Sequence, residues 1–280
     1  MDHYKRIKKT VQAILKRQIS QRKITHFIEH VDRTKLVNIQ YPPNPTIAVI
    51  VPCFGHEKYI GEMFTSIINQ TRRPDQVIFI VDESPDKSLE LLSRITESLE
   101  TDFRQIIKII ENKKNAGQCA SINRGIEIAN TDLILILNDD DYLMHDCIHT
   151  ILNIFKRFPA AVLVGGTSLH FSGENLNKME KCISNITEEN SISLDFRIPG
   201  DVKKYARYND LNMTHSGCCF LKSAWNAVGG YYPDKSKRIA RYSDRDFQIR
   251  INSLFPVALS NITPLSLWRN DSSVDSGINS

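Results

Sequence analysis

Short apolar segments alternate with helical segments between residues 46 and 137, and this alternation constrains the fold more than any other feature. The apolar segments have the length and composition of buried strands, and they are residues 46–51, 77–81, 106–110 and 133–137. The segments between them carry apolar side chains at helical spacing, and they are residues 56–70, 89–99 and 117–130. Strands that alternate with helices predict an α/β fold with a mostly parallel, Rossmann-like sheet and helices on both faces.

Polar loops follow the predicted strands. The carboxyl ends of parallel strands meet at one edge of a sheet, and α/β proteins bind their ligands there. We expect these loops to converge at that edge, and they are residues 52–56, 82–84, 115–118 and 138–141. The sequence therefore predicts one polar site rather than several separate ones.

The last of these loops, Asn138 to Asp141, is called the acidic loop below, because it contains three adjacent carboxylates after a predicted buried strand. Like charges this close destabilise the fold unless a cation lies among them. A divalent-metal site is the favoured interpretation, and a polar loop that caps the next helix is the alternative. The chain has neither a GxxxxGK[ST] nor a GxGxxG motif, so nucleotide phosphates would need another counter-charge. Mg²⁺ or Mn²⁺ would provide it, because either ion binds carboxylates together with phosphate oxygens.

The first 45 residues are strongly basic, with ten Lys and Arg against three Asp and Glu. Apolar residues fall at helical spacing among these bases, and they are Ile7, Val11, Ile14 and Leu15. Two interpretations are favoured equally: contact with an anionic membrane surface through residues 1–40, or packing on the main domain or a partner. A nucleic-acid patch is the least favoured interpretation, and no nucleic-acid partner is expected. Residues 41–45 are Pro-rich and end the extension.

The composition is that of an ordinary globular protein, with 41% apolar and 24% charged residues. No apolar stretch reaches the roughly 18 residues that a membrane span needs, and the first residues lack the apolar core of a signal peptide. Six scattered cysteines favour free thiols in a reducing compartment. The expected location is the cytoplasm, with peripheral attachment to the inner face of the cell membrane if the extension binds lipid.

Residues 46–84 and 115–146 resemble glycosyltransferase family 2 of the GT-A fold, and residues 216–232 and 242–251 resemble it more weakly. The resemblance implies an enzyme that moves a sugar from a nucleotide diphosphate, with UDP favoured, to an acceptor hydroxyl with inversion. It implies Mn²⁺ or Mg²⁺ as cofactor, a saccharide or lipid-linked saccharide acceptor, and a role in bacterial surface polysaccharide synthesis. The implied parts are the basic extension (1–45), a half that binds the nucleotide sugar (46–158) and a half that binds the acceptor (159–280).

The resemblance also assigns roles to the acidic loop and the loops around it. Asp140 matches the last acidic residue of the family's DxD motif and is the expected metal ligand, with Asp141 ordering the loop or assisting the metal. Residues expected to contact the donor are Pro52, Cys53, Phe54, Asp82, Glu83, Asn123, Asn138 and Asp139. Asp82 or Glu83 would accept the N3–H of uracil.

In the second half, Asp244 matches the family's acidic residue at a helix start and is the expected catalytic base. Ser243, which precedes it, is predicted to cap that helix, and Asp246 to pair with Arg245 or Arg250. His215 and Arg269 are further expected donor contacts.

The positions that differ from the residues usual in the family include Asn138, Glu83 and Ser243. They keep open the alternative of a non-catalytic GT-A domain that binds a nucleotide or a partner. The presence of both Asp140 and Asp244 favours the enzyme. A nucleotidyltransferase is disfavoured because no basic, Gly-rich loop follows the first strand.

Overall fold

The computed structural model describes residues 18–37, 39–171, 194–199, 211, 213–261 and 263–270. Within them the strands are β1 (Ile47–Cys53), β2 (Gln76–Asp82), β3 (Ile107–Asn112), β4 (Leu133–Ile136), β5 (Tyr142–Leu143), β6 (Leu163–Gly166), β7 (Ser168–Phe171), β8 (Leu194–Arg197), β9 (Cys219–Leu221), β10 (Val257–Ser260) and β11 (Ser266–Arg269). The α-helices are α1 (18–30), α2 (Glu57–Ile68), α3 (Ser88–Glu97), α4 (Thr101–Arg104), α5 (Gln118–Ile128), α6 (Cys147–Arg157), α7 (Lys222–Ala227) and α8 (Ser243–Leu254). Short 3₁₀ helices cover Arg33–Leu36 and Lys235–Lys237.

A sheet in the order β3-β2-β1-β4-β9-β6-β10-β8 runs through the molecule. The strands β3, β2, β1 and β4 are parallel to one another, whereas β9 is antiparallel to β4 and β6. The chain winds outward from β1 to β3 and then returns to place β4 on the other side of β1. A binding crevice forms at the carboxyl ends of the strands where the order reverses in this way. The predicted α/β fold with a mostly parallel sheet is confirmed.

The strands around this reversal form the centre of the core. Every residue of β1 and of β4 is buried, as expected for strands that are covered by helices on both faces. Helix α5 packs on β1 and β2, and a Cβ at Gly125 would lie only 2.7 Å from the Cγ2 atom of Ile50. Glycine therefore allows α5 to approach the sheet closely.

The prediction that the first strand ends at residue 51, before Pro52, is wrong, because β1 continues to Cys53 and Pro52 is in register with Ile80 of β2. The carbonyl of Ile50 accepts a hydrogen bond from the Leu137 N–H, so Ile50 faces β4. Pro52 lies two residues further on and faces the same side, where pairing with β4 has already ended. Its missing N–H therefore removes no ladder hydrogen bond.

Several elements that follow the acidic loop were not predicted. They are β5, β8, β10, β11 and the helix α6. Strands β5, β11 and β7 form a second, three-stranded sheet. The alternative in which the acidic loop caps a helix is wrong, because β5 follows the loop and α6 begins only at Cys147, after Asp146.

Helix α1 packs against the second half of the chain. Ile24 is buried, and the Lys23 Nζ atom donates to the carbonyls of Ser236 (3.3 Å) and Arg238 (2.7 Å). For residues 18–30, the interpretation that the extension packs on the main domain therefore agrees with the structure. The predicted apolar stripe between residues 7 and 15 lies outside the described residues, and membrane contact of the extension stays a prediction.

Among the residues that the structure describes, no helix combines the length and the apolar character needed to cross a membrane. The cysteines in this part of the chain are free and buried, which agrees with the prediction of free thiols. Burial raises the pKa of the Cys218 thiol to about 12. Cys182 lies outside the described residues.

Candidate active site at the reversal of strand order

Hydrogen bonds connect the loops that follow β1, β2 and β4. The Phe54 N–H donates to Asp139 Oδ2 at 2.8 Å, directly across the crevice between β1 and β4. The Gly55 N–H donates to the Ser84 hydroxyl at 2.8 Å, which joins the loops after β1 and β2. Gln118 Nε2, at the start of α5, donates to Asn138 Oδ1 at 3.2 Å. The predicted convergence of the polar loops is thus confirmed.

The Asp86 carboxylate joins the loop after β2 to the starts of α2 and α3. It accepts hydrogen bonds from the Glu57 N–H at the start of α2 and from the hydroxyls of Ser84 and Ser88. Burial alone would raise the pKa of Asp86, but these hydrogen bonds outweigh it and lower the pKa to about 2. Asp86 therefore orders the starts of α2 and α3 in its charged form.

Asp82 and Glu83, the predicted uracil contacts, differ in their surroundings. Asp82 is buried, and its two carboxylate oxygens accept hydrogen bonds from Asn112 Nδ2 (2.6 Å) and from the N–H groups of Ala116 (2.9 Å) and Gly117 (2.8 Å). It thus orders the turn before α5. Glu83 is exposed and has a left-handed backbone with φ 51°, a conformation rare for residues other than glycine.

Asp141 is almost completely buried and is surrounded by donors. Its carboxylate accepts hydrogen bonds from the Ser216 hydroxyl (2.5 Å), Asn138 Nδ2 (3.1 Å) and the Arg269 N–H (3.1 Å). Burial, followed by the charge of Asp140, raises the pKa of Asp141 to about 7 against the effect of these donors. The role in ordering the loop agrees with this geometry, and metal binding by Asp141 stays a prediction.

Arg269 holds the acidic loop from the side of the second sheet. Its Nε atom donates to the Asp140 carbonyl at 3.1 Å, and its guanidinium pairs with Glu62 of α2. The guanidinium also lies over the rings of Tyr59 (4.0 Å) and Phe171 (4.3 Å). The predicted contact of Arg269 with the donor stays a prediction, and the contacts within the protein make it a support for the acidic loop.

The acidic loop and the loop after β1 together offer a set of metal ligands. One ligand atom each from His56, Asp139 and Asp140 lies within 4.8 Å of the others. Nitrogen and oxygen donors at this spacing suit a first-row divalent ion such as Mn²⁺. The residues present therefore fit the predicted cofactor, with Asp140 partly exposed at the crevice.

The second half of the chain approaches the acidic loop through the turn at residues 215–217. The Ser216 hydroxyl accepts a hydrogen bond from the Asn138 N–H at 3.0 Å. His215 is buried, and its Nε2 atom lies 3.2 Å from the Tyr231 hydroxyl oxygen. Burial lowers the pKa of His215, and the nearby Asp244 carboxylate opposes this change. The turn therefore lies near both the predicted metal ligand and the predicted base.

Asp244 is partly exposed in the first turn of α8. Asp246, two residues further on, is fully buried and pairs with Arg250 at 2.9 Å, which confirms one of the two predicted partners. The prediction that Ser243 caps the helix is wrong, because Ser243 is the first helical residue and Tyr242 occupies the cap position. The Asp246 carboxylate instead accepts a hydrogen bond from the Ile239 N–H at 2.6 Å and anchors this end of α8.

Other predicted donor contacts have roles inside the fold. The Asn123 amide donates to the Tyr231 carbonyl at 2.8 Å and accepts from the Tyr231 N–H and from Trp225 Nε1. Pro52 and Cys53 are buried within β1. Donor binding by these residues stays a prediction.

His56, Ser216 and Glu62 are not among the residues predicted to form the site. His56 could have been noted because it falls in a loop predicted to reach the site. Ser216 and Glu62 gave no signal of their own, because their contacts join segments far apart in the sequence.

The fold and the site define the class of GT-A glycosyltransferases, in which a Rossmann-like sheet ends in an acidic loop. Two structures of this class superpose on the chain at low sequence identity. Staphylococcus aureus TarS 1–349 in complex with UDP-GlcNAc has a TM-score of 0.58 at 14% identity, over 81% of this chain and 59% of TarS 1–349. The mannosyltransferase PcManGT from Pyrobaculum calidifontis, in complex with GDP-Man and Mn²⁺, also has a TM-score of 0.58 at 14% identity, over 96% and 68%.

Sequence comparison gives the family. The profile described as "Glycosyl transferase family 2" matches residues 48–227, and the chain belongs to this family. An uncharacterized glycosyltransferase of Haemophilus influenzae is 33% identical over 109 residues, which are 39% of this chain and 42% of that protein. The poly(ribitol-phosphate) beta-glucosyltransferase of Bacillus spizizenii is 28% identical over 121 residues, which are 42% of this chain but only 18% of that protein. The similarity to both relatives thus covers less than half of their length.

Proposed function

We propose that this protein transfers a sugar from a nucleoside diphosphate to an acceptor hydroxyl, with inversion and with the help of a divalent metal. The observation that carries the proposal is the position of the acidic loop. Asp140 lies at the crevice between β1 and β4, and hydrogen bonds tie its loop to the turn that approaches Asp244. A metal ligand and a base are thus both available at one site.

A nucleotide-sugar donor is supported by the neighbours in fold, which were solved with UDP-GlcNAc and with GDP-Man. UDP is the favoured nucleotide for this chain. Of the two acids at the end of β2, we assign the contact with the uracil N3–H to Glu83, because Glu83 is exposed and accepts one hydrogen bond, from the Asn115 N–H, whereas Asp82 is buried and accepts three within the fold. The acceptor would be a saccharide or a lipid-linked saccharide of a bacterial surface polymer, and the similarity to the poly(ribitol-phosphate) beta-glucosyltransferase supports this.

The residues of the chain divide the chemistry between them. A bound Mn²⁺ or Mg²⁺ would neutralise charge on the leaving diphosphate, and Asp140 would hold it. Asp244 takes the proton of the acceptor hydroxyl, and the acceptor oxygen attacks the anomeric carbon on the face opposite the diphosphate. A single displacement of this kind inverts the anomeric configuration. The buried Arg250–Asp246 pair keeps the helix of Asp244 in place.

Two substitutions test the proposal, Asp140→Asn and Asp244→Asn, with the surface variant Asp102→Asn as the matched control. The assay is the release of nucleotide from UDP- and GDP-sugars with Mn²⁺, together with the thermal shift caused by UDP and Mn²⁺. We expect each site variant to lower turnover by about 10²–10⁴-fold. Asp140→Asn should also remove the metal-dependent thermal shift, whereas Asp244→Asn should keep it.

If both variants released nucleotide as fast as the wild type, the proposed enzyme mechanism would fail. If wild-type protein bound UDP with Mn²⁺ but released no nucleotide from any sugar donor, with or without saccharide acceptors, a non-catalytic nucleotide-binding domain would be the better description.

A further inference from the structure

His56 lies between β1 and α2, close to the acidic loop. Its side chain is 14% exposed, and its Nδ1 atom is 2.8 Å from Asp139 Oδ1. His56 occupies the cap position of α2 but makes no capping hydrogen bond with its side chain. Capping of α2 therefore does not explain a histidine at this position.

Asp139 is fixed by this contact and by one other. Its second carboxylate oxygen accepts the hydrogen bond from the Phe54 N–H, and the residue is only 4% exposed. A charged Asp139 carboxylate accepts this hydrogen bond from a protonated Nδ1 atom, which makes Nε2 the basic nitrogen of the ring. A buried carboxylate that receives one ring N–H is the usual support of a histidine whose other nitrogen binds a metal.

The third member of the cluster completes this arrangement. Asp140 is the next residue after Asp139, and one ligand atom from each of His56, Asp139 and Asp140 lies within 4.8 Å of the others. We propose that His56 is a direct ligand of the divalent cation, that Asp140 is a second ligand, and that Asp139 orients the His56 ring. This proposal rests on the metal dependence in the proposed function and adds a nitrogen ligand to it.

A nitrogen ligand changes which metal the site prefers. Imidazole binds Mn²⁺, Co²⁺ and other transition ions, whereas Mg²⁺ prefers a shell of oxygen ligands. The site should therefore bind Mn²⁺ and Co²⁺ more tightly than Mg²⁺, and His56 should account for much of this difference. Asp139 would then serve the metal through His56 rather than contact the donor.

The experiment measures metal binding and not turnover. Free Mn²⁺ is followed by electron paramagnetic resonance during titration of the full chain, without and with UDP, and Mg²⁺ affinity is obtained by competition. The variants are His56→Gln, Asp140→Asn and the exposed control His149→Gln. We expect His56→Gln to weaken Mn²⁺ binding at least about tenfold, to weaken Mg²⁺ binding much less, and His149→Gln to change neither.

A measurement on the wild type removes any dependence on the folding of the variants. In the Mn²⁺-loaded protein, electron spin echo modulation from a directly bound ¹⁴N nucleus reports imidazole coordination. We expect this modulation in the wild type, and its absence there would overturn the proposal. Unchanged Mn²⁺ affinity in His56→Gln, together with a loss in Asp140→Asn, would also overturn it while leaving the proposed metal-dependent transfer intact. If the wild type bound no Mn²⁺ with or without UDP, metal dependence itself would fail.

Discussion

Arg250 provides the sharpest test of how the second half of the chain is held together. Its side chain is completely buried and donates to Asp246 Oδ2 (2.9 Å) and to the carbonyls of Val228 (2.7 Å) and Gly230 (2.7 Å). The guanidinium also lies 3.7 Å from the centre of the Tyr232 ring. One side chain thus connects α8 to the chain segment that follows α7.

The substitution Arg250→Met keeps most of the side-chain volume and removes the charge and its hydrogen bonds. It leaves the Asp246 carboxylate without its positively charged partner, and this carboxylate has no exposure to water. Removal of one member of a buried ion pair costs about 3–5 kcal/mol, which is a large part of the roughly 5–15 kcal/mol that stabilises a typical domain. We expect the free energy of unfolding to fall by about this amount.

The assay is urea unfolding followed by tryptophan fluorescence, because Trp225 lies beside this segment. Arg241→Met, an exposed position just before α8, is the matched control and should change stability by less than about 0.5 kcal/mol. Asp246→Asn combined with Arg250→Met should lose less than the sum of the single variants, because no charge is then left unpaired. A loss below about 1 kcal/mol in Arg250→Met would refute the reasoning.

Three further predictions concern stability and reactivity. Asp86→Ala should lower the urea midpoint at pH 7. The pKa of Asp86, about 2 in the folded protein, lies below the ordinary 3.8, so its contribution is present above about pH 4 and is lost as the pH falls towards 2. The difference from wild type should therefore shrink at pH 3, and a constant difference would contradict this. Gly125→Ala should destabilise the protein by about 1–3 kcal/mol in the same assay, because the new Cβ would lie 2.7 Å from Ile50 Cγ2; an unchanged midpoint would mean that α5 can shift freely. In a Cys182→Ser background, Cys147 and Cys218 should react slowly with a thiol reagent until urea unfolds the chain, since burial raises the pKa of both thiols; rapid labelling of native protein would argue against this burial.

The central strands could be predicted because they are buried on both faces. Residues 133–136 are continuously apolar, and this pattern needs no knowledge of partners. By contrast, β11 is only Ser266–Arg269, and its partner β7 is about a hundred residues away in the sequence. A short strand without an apolar run gives no local signal, so the second sheet could not be predicted.

The candidate site, like the fold, could be predicted only in part. The convergence of polar loops follows from the topology of a parallel sheet and was predicted. The direction in which each side chain points does not follow from topology. Asp82 and Asn123 are the residue types expected at a nucleotide site, yet their polar atoms bind the turn before α5 and the Tyr231 backbone. The same residue could serve the ligand or the fold, and only three-dimensional contacts distinguish the two.

The contacts of Lys23 affect the order in which parts of the protein can fold during synthesis. Its hydrogen-bond partners lie 213 and 215 positions later in the chain. At a synthesis rate of about 5–20 residues per second, helix α1 waits roughly 10–40 s for the segment on which it packs. Helix α1 thus reaches these native contacts only after the segment at residues 236–238 has been synthesised. A chain cut at residue 227, where the family match ends, would leave α1 without these partners.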